Sequence, residues 1–191
     1  KIMGKQEWKP GTMIYPVPAV LVSCGSEPDK TNFFTVAWTG TICSDPAMCS
    51  ISVRKSRYSY DLIKAGMEFT INLTTEDMAR AVDWAGVRSG RDYDKWKETG
   101  LTASKGVKVS CPYIKGAPLS IECRVKDIIN LGSHDLFIAE VLDVLADDRF
   151  IDDTTGAFDM SQARLIAYSH GAYYKLGDQI GRFGWSVKKK V

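Results

Sequence analysis

The sequence predicts a mainly β fold, in which one closed or nearly closed antiparallel β-barrel carries peripheral α-helices. Short segments rich in β-branched and aromatic residues recur along the chain, and turn residues separate them. The helix patterns are short and lie between these segments. No internal repeat, low-complexity stretch or interior linker divides the 191 residues, so we expect a single domain over residues 1–191.

The first half of the chain alternates between strands, turns and one helix. The sequence Ser44-Asp45-Pro46 is a turn signal that separates the second predicted strand from the third. A short helix is predicted over 58–65, because Gly66 ends its pattern. The predicted strands of this half cover residues 19–24, 33–41, 48–53 and 68–73.

The second half contains two more predicted helices and the longest strands. Thr75, followed by the acidic Glu76 and Asp77, is predicted to open a helix that runs to Gly86. The polar region that follows is predicted to hold a short helix over 92–98. The predicted strands of this half cover residues 101–108, 119–129, 136–145 and 163–168, and a turn at 131–135 makes the second and third of them an antiparallel pair.

Composition argues against membranes and nucleic acids as partners. Hydrophobic residues make up 45% of the chain and charged residues 25%, values that are typical of soluble globular proteins. No apolar run approaches the roughly 20 residues that span a bilayer. The net charge of +2 is too small to indicate nucleic-acid binding, and the dense basic run at Lys188–Lys190 fits a solvated tail.

Cysteines and histidines are too scattered to predict a metal site. The two histidines, His134 and His170, have no metal-ligand pattern around them, and the five cysteines show neither CxxC nor Cys/His spacing. An odd number of cysteines cannot all pair within one chain, so we expect reduced thiols and a cytoplasmic protein. The motifs of serine hydrolases, Rossmann folds and P-loops do not occur in the sequence either.

One segment suggests a binding site for a flat aromatic ligand that carries a phosphate. The residues from Arg54 to Ser59 supply cations and hydroxyl groups where the third strand ends and a helix begins. Cationic side chains, hydroxyl groups and free helix N–H groups together stabilise a phosphate. A basic, solvated turn explains the same residues. Trp38 likewise fits either the core or a ring wall, and His134 fits either a turn or a ligand contact.

Four segments of the chain are informative together: TVAWTGTICSDPAMCSISVRKSRYSYDLI at 35–63, SGRDYDKW at 89–96, GSHDLFIAEV at 132–141 and YYKLGDQIGRFGWSVKKK at 173–190. In combination they resemble the flavin reductase-like family of FMN-binding split barrels, and its flavoredoxin branch in particular. Together these segments extend over most of the chain. The resemblance implies an antiparallel Greek-key split β-barrel that forms a homodimer, with FMN in a groove near the subunit interface.

The resemblance also implies which residues hold FMN. Lys95 and His134 would reach toward the flavin ring, where a cation near N1 or O2 stabilises the reduced anionic ring. From the C-terminal segment, either Tyr168 or Tyr173 would border the cofactor. The remaining implied contacts are Ala37, Trp38, Thr39, Gly40 and Thr41 along the isoalloxazine ring, and Ser52, Arg54, Ser56, Tyr58 and Ser59 along the ribityl chain and the phosphate.

The activity that the resemblance implies is that of an FMN-binding oxidoreductase. FMN would supply the redox chemistry, so no general base or metal is expected of the protein. The chain would act as an NAD(P)H-dependent flavin reductase, with the pyridine nucleotide as a transient electron donor, or as a flavoredoxin-like electron carrier with a redox partner protein. The alternative is a non-enzymatic split-barrel protein with a weak or vestigial flavin pocket.

Overall fold

Antiparallel strands dominate the protein. The computed structural model describes residues 4–187, so the basic run at Lys188–Lys190 lies outside the described residues. The strands are β1 (Val17–Pro18), β2 (Val20–Cys24), β3 (Asn32–Val36), β4 (Thr39–Ser44), β5 (Ala47–Arg54), β6 (Glu68–Asn72), β7 (Ala103–Ser104), β8 (Tyr113–Ile114), β9 (Leu119–Asn130), β10 (His134–Ala146), β11 (Ile166–Ser169) and β12 (Ala172–Lys175). Seven of them form the main sheet in the order β3-β2-β6-β9-β10-β5-β4.

The main sheet curls so that its two edges come close together. The edge strands β3 and β4 are consecutive in the chain and are joined only by Ala37 and Trp38. At this junction, the Ser52 amide on β5 donates a hydrogen bond to the Trp38 carbonyl at 2.9 Å, which extends the β4–β5 pairing by one residue. A curled antiparallel sheet with helices outside it is a mainly β, barrel-like architecture. The predicted fold class is therefore confirmed.

The segment predicted as one strand over 33–41 forms two strands, so that prediction is wrong in part. β3 pairs with β2, whereas β4 pairs with β5 at the opposite edge of the sheet. The chain must therefore turn from one edge to the other at Ala37 and Trp38. The alternation of residues along a segment does not reveal which neighbouring strand it joins, because that choice depends on tertiary packing.

The strand predicted over 101–108 is wrong for most of its length. Only β7 in this region pairs, and its partner is β8. The chain beyond β7 folds around the buried carboxylate of Glu122, which accepts hydrogen bonds from the amides of Val107 and Lys108 at 2.7 and 2.6 Å. Two amides directed at one carboxylate cannot also take part in an extended ladder, so the segment forms a loop.

The helices lie outside the sheet, close to the predicted positions. They are α1 (Tyr58–Gly66), α2 (Ala79–Val87) and α3 (Lys95–Thr99). A 3-10 turn precedes α2, and Thr75 at its start makes no side-chain capping bond. Asp94 does cap α3, because its carboxylate accepts hydrogen bonds from the next helix amides. Within residues 4–187, no helix is long and apolar enough to cross a bilayer.

A small three-stranded sheet, β1-β11-β12, packs beside the main sheet. The strand predicted over 163–168 is shifted toward the C-terminus, because a 3-10 turn takes up its first residue. Ile166, Tyr168 and Tyr173 of this sheet belong to the same apolar cluster as Val82 of α2. The small sheet therefore brings two tyrosines next to the end of α2. The 3-10 turns cover Pro28–Lys30, Glu76–Met78, Asp148–Phe150, Met160–Ala163 and Trp185–Val187.

The core lies on both faces of the sheet. Inside the curl, Phe69 and Phe137 are fully buried together with Ile51, whereas Leu21 and Phe33 pack in a second cluster on the side of α2. All five cysteines carry free thiols. This packing holds β3, β5 and α2 against one another, and the cavities described below open between these elements.

Candidate functional site

Two connected cavities open where β3, β5, α1 and α2 approach one another. The larger cleft has a volume of about 500 Å³, and the smaller cavity has a volume of about 220 Å³. Phe34, Arg54 and Arg57 line both of them. Together they form one groove within the size range of pockets for small molecules and cofactors, about 300–1,000 Å³.

Aromatic side chains form the walls of the larger cleft. The rings of Trp38 and His134 lie 4.8 Å apart between centroids, at the end where β3 passes into β4. At the other end, the rings of Tyr168 and Tyr173 are 5.4 Å apart. The Tyr173 hydroxyl donates to Asp83 at 3.3 Å, and burial, together with this carboxylate, raises the pKa of Tyr173 to about 12. An aromatic cleft of this kind is suited to a planar ligand.

His134 lies at the rim of the larger cleft, directly opposite Arg54 in the β10–β5 ladder. Its Nδ1 atom is 2.9 Å from the Ser133 hydroxyl. Burial lowers the pKa of His134 below 6.5, and the cationic Arg54 and Arg57 lower it further. The imidazole is therefore mostly neutral at pH 7, and the positive charge of this part of the site comes from the two arginines.

The smaller cavity is strongly cationic. Four arginines and one lysine line it, and none of its described lining residues is acidic. Two of the arginines are held by backbone carbonyls: Arg57 donates to the Gly86 carbonyl at 2.8 Å, and Arg91 donates to the Ser56 carbonyl at 2.9 Å. Helix α1 begins at this cavity and adds the positive end of its dipole. The cationic lining residues are Arg54, Arg57, Arg88, Arg91 and Lys95.

Two buried polar side chains also reach the smaller cavity. Ser59 is 1% exposed, and its hydroxyl accepts a hydrogen bond from the Asn32 amide at 2.8 Å. Lys95 is 3% exposed, and its Nζ atom donates to the Ala85 carbonyl at 2.7 Å. Burial, together with the neighbouring Arg57 cation, lowers the pKa of Lys95 to about 8. Burying polar groups of this kind costs free energy unless they are paired by hydrogen bonds.

Gly90 leaves space for a ligand at this cavity. A Cβ atom added at Gly90 would lie 2.5 Å from the Asn32 side-chain oxygen and 2.7 Å from the Tyr58 ring. Any larger residue would therefore displace the side chains that shape the cavity. The absence of a side chain allows the backbone to approach closely, as phosphate-binding loops often require.

The structure gathers most of the residues proposed as the FMN site. Thr39, Gly40 and Thr41 line neither cavity; they lie on the edge strand β4, where the Thr39 hydroxyl donates to the Ser50 carbonyl at 2.8 Å. Lys95 and His134 are not brought together, because they line different cavities. The others are placed as follows: Ala37, Trp38, Ser52, Arg54, His134, Tyr168 and Tyr173 line the larger cleft, and Arg54, Ser56, Tyr58, Ser59 and Lys95 line the smaller cavity.

Sequence reasoning missed several cations of the site. Arg57 belongs to the basic segment at 54–59, but it is not among the FMN contacts that the family resemblance implies. Arg88 and Arg91 lie in the loop after α2, and this loop packs next to the start of α1 only in the folded protein. The only sequence signal was the pair of arginines around Ser89 and Gly90, a pattern that is equally common in solvated loops.

The donor set fits a phosphorylated, planar cofactor of the flavin type. Cations, a helix N-terminus and two buried polar groups suit a phosphate, and the adjoining aromatic cleft suits a fused ring system. The fit depends on the contacts described above and not on the sequence motifs alone.

Comparisons with known proteins agree with this arrangement. The sequence profile of the flavin reductase like domain matches residues 12–177. Flavoredoxin of Desulfovibrio vulgaris (Miyazaki F) has a structure that superposes with a TM-score of 0.88 at 30% sequence identity, and the match covers 97% of this chain and 100% of that chain. This likeness confirms the predicted antiparallel split-barrel class.

Two sequence relatives extend the comparison. An uncharacterized protein of Archaeoglobus fulgidus is 33% identical over 139 residues, which are 73% of this chain and 77% of that protein. The NADPH-flavin oxidoreductase of Streptomyces viridifaciens is 30% identical over 111 residues, which are 57% of this chain and 56% of that protein. The site, the fold and the profile match agree that this chain belongs to the flavin reductase-like family.

Proposed function

We propose that the chain is an FMN-binding oxidoreductase, which acts as an NAD(P)H-dependent flavin reductase or as a flavoredoxin-like electron carrier. One observation carries the proposal: an aromatic cleft opens directly into a cavity lined by five cations and by no described acidic residue. A planar ring joined to a phosphate by a short polar chain matches this sequence of environments.

The phosphate end of the cofactor belongs in the smaller cavity. Arg54 and Arg57 stand at the passage between the two cavities, where a phosphate would meet both guanidinium groups. Ser59 and Lys95 supply a hydroxyl and an ammonium group from buried positions. Charge-assisted hydrogen bonds of this kind are among the stronger polar contacts in proteins. We accordingly assign Lys95 to the phosphate and not to the edge of the flavin ring.

The ring end belongs in the larger cleft, between Trp38 with His134 on one side and Tyr168 with Tyr173 on the other. Bound FMN supplies the capacity to accept a hydride or single electrons. Arg54 and Arg57 provide a positive field that favours added negative charge on a bound ligand. The neutral His134 offers a hydrogen-bonding nitrogen at the rim without adding a charge.

The partners proposed from the family resemblance are a second copy of the chain and an electron donor. The edge strand β4 supports a homodimer, because Gly40 and Thr41 are exposed and Ile42 is 49% exposed on it. The donor would be NADH, NADPH or a redox partner protein. A cytoplasmic location is supported by the five free thiols.

The test is flavin binding followed by reduction. The purified protein should show the visible absorption of a flavin and, once freed of it, should bind FMN more tightly than riboflavin, which lacks the phosphate. Anaerobic addition of NADH or NADPH separates the two activities, since bleaching of the bound flavin indicates a reductase and unchanged absorption indicates a carrier supplied by another protein. A protein that takes up no FMN would instead be the non-enzymatic split barrel with a vestigial pocket.

A further inference from the structure

We propose that Asp135 is a positioning residue for the phosphate end of the flavin site, because its carboxylate on β10 holds the basic segment at 54–59 in the conformation that binds a phosphate. The inference rests on the proposed function, since it takes the smaller cavity as the phosphate site. Asp135 lines neither cavity of the groove. It therefore acts on the ligand through the residues that it holds.

Residues 54–60 divide into two groups according to their contacts. Lys55 and Tyr60 line neither cavity, and both contact Asp135. The other five line the smaller cavity, namely Arg54, Ser56, Arg57, Tyr58 and Ser59. One carboxylate is thus bound near both ends of the stretch that supplies these five lining residues.

The contacts of Asp135 are short and shielded from water. Asp135 is 5% exposed, and its Oδ2 atom accepts a hydrogen bond from the Tyr60 hydroxyl at 2.6 Å. The Lys55 Nζ atom lies 3.3 Å from Oδ1. The Tyr60 hydrogen bond and the Lys55 cation hold the pKa of Asp135 below its ordinary value, so the carboxylate is charged at pH 7. This charged group joins the end of β5 to the first turn of α1.

The position of Asp135 in the main sheet makes it a firm support. It lies opposite Val53 in the β10–β5 ladder, and β10 is an interior strand that pairs on both sides. Within the segment itself, the Arg57 amide donates to the Arg54 carbonyl at 3.0 Å and forms a local turn. That bond shapes the turn but does not attach it to the sheet. The contacts of Asp135 supply this attachment.

The charges of the segment make such a support necessary. Arg54, Lys55 and Arg57 fall within four consecutive positions, and their cations repel one another. Within residues 4–187, Asp135 is the only carboxylate in ion-pair contact with any of them. Its buried Oδ1 atom accepts no hydrogen bond from the described residues, which costs free energy. A buried apolar side chain would avoid this cost, so the stability of the fold alone does not account for a carboxylate here.

The experiment is calorimetric titration of the full flavin-free chain with FMN and with riboflavin, which lacks the phosphate. Residues that orient a metal ligand typically change its affinity by about 10- to 100-fold. By the same reasoning, Asp135→Asn should lower the affinity for FMN about tenfold and leave that for riboflavin unchanged. Tyr60→Phe removes only the hydroxyl and should weaken FMN binding with the same selectivity. Lys55→Arg should preserve FMN affinity, because it keeps a cation beside the carboxylate.

The direction of the change distinguishes positioning from a simple effect of charge. Removing the negative charge of Asp135 makes the surroundings of the phosphate more positive, so a purely Coulombic effect predicts tighter FMN binding by Asp135→Asn. Positioning predicts weaker binding. Glu122→Gln is the matched control, because Glu122 is also a buried carboxylate and lines neither cavity. This variant should leave the ratio of the FMN and riboflavin affinities unchanged.

Two outcomes would overturn the inference while leaving the proposed function intact. FMN affinity could be unchanged or higher in Asp135→Asn, or FMN and riboflavin could lose affinity equally, as a general loss of structure predicts. If Asp135→Asn does not fold, Tyr60→Phe decides, and an unchanged FMN affinity in that variant refutes the positioning role. Failure of the unmodified chain to bind any flavin would instead refute the proposed function itself.

Discussion

Replacing Lys95 by methionine should stabilise the flavin-free protein and weaken its binding of FMN. The lysine is 3% exposed, and burial lowers its pKa from 10.5 to about 8. Each pKa unit corresponds to about 1.4 kcal/mol, so the folded protein carries a cost of roughly 3 kcal/mol for keeping this cation at pH 7. Methionine has a similar length, carries no charge and fills irregular spaces well.

The expected gain is smaller than this cost, because the Lys95 ammonium also satisfies a carbonyl. Its Nζ atom donates to the Ala85 carbonyl at 2.7 Å, and losing that bond costs about 1 kcal/mol. The net stabilisation at pH 7 should be about 2 kcal/mol, which raises Tm by roughly 4–8 °C for a chain of this size. The affinity for FMN should fall about 10- to 100-fold, since a hydrogen bond to a charged group contributes about 1.5–3 kcal/mol.

The pH dependence of stability and of FMN affinity provides a second test of the role of Lys95. Between about pH 8 and pH 10.5 the unfolded chain holds a proton on Lys95 that the folded chain has lost, so the contribution of this residue to stability rises with pH. Over the same range the affinity for FMN should fall, because the cavity loses a positive charge. Lys95→Met should abolish both trends.

The assays are chemical unfolding of the flavin-free protein and titration with FMN. Lys97→Met is the control, because Lys97 lies on the same helix, is exposed and lines none of the cavities described here. The reasoning is refuted if Lys95→Met destabilises the protein and leaves FMN binding unchanged, since the lysine would then be a structural residue and not a ligand contact.

Three further predictions test other parts of the groove and the fold. Arg54→Gln should lower FMN affinity about 10- to 100-fold without changing riboflavin affinity, as measured by titration with both, because Arg54 reaches the phosphate end. Gly90→Ala should weaken FMN binding at least about tenfold in the same assay, since its Cβ would meet Asn32 at 2.5 Å. Glu122→Gln should lower the free energy of unfolding by about 1.5–3 kcal/mol, because two backbone amides donate to this carboxylate. It should leave FMN affinity unchanged, because Glu122 lines neither cavity of the groove. Equal effects on FMN and riboflavin, a normal affinity in Gly90→Ala or an unchanged unfolding midpoint in Glu122→Gln would contradict them in turn.

Local patterns in the sequence predicted the long antiparallel pair well, because alternation over 119–129 and 136–145 is a property of each strand and its turn. They failed at residues 33–41, because membership of two sheet edges depends on partners far away in the chain. The site shows the same division. Arg54 and Ser59 stand in one basic segment and were found, whereas Arg88 and Arg91 reach the cavity only through the packing of the loop after α2.

At the junction of β3 and β4, the backbone and the side chain of Trp38 have different roles. The hydrogen bond that extends the β4–β5 pairing to this junction uses the carbonyl of Trp38, which any amino acid at this position would supply. The indole of the same residue faces His134 in the cleft. The side chain that borders the cleft can therefore change without loosening the pairing of β4 with β5, so new ligand preferences can arise at this position while the architecture stays the same.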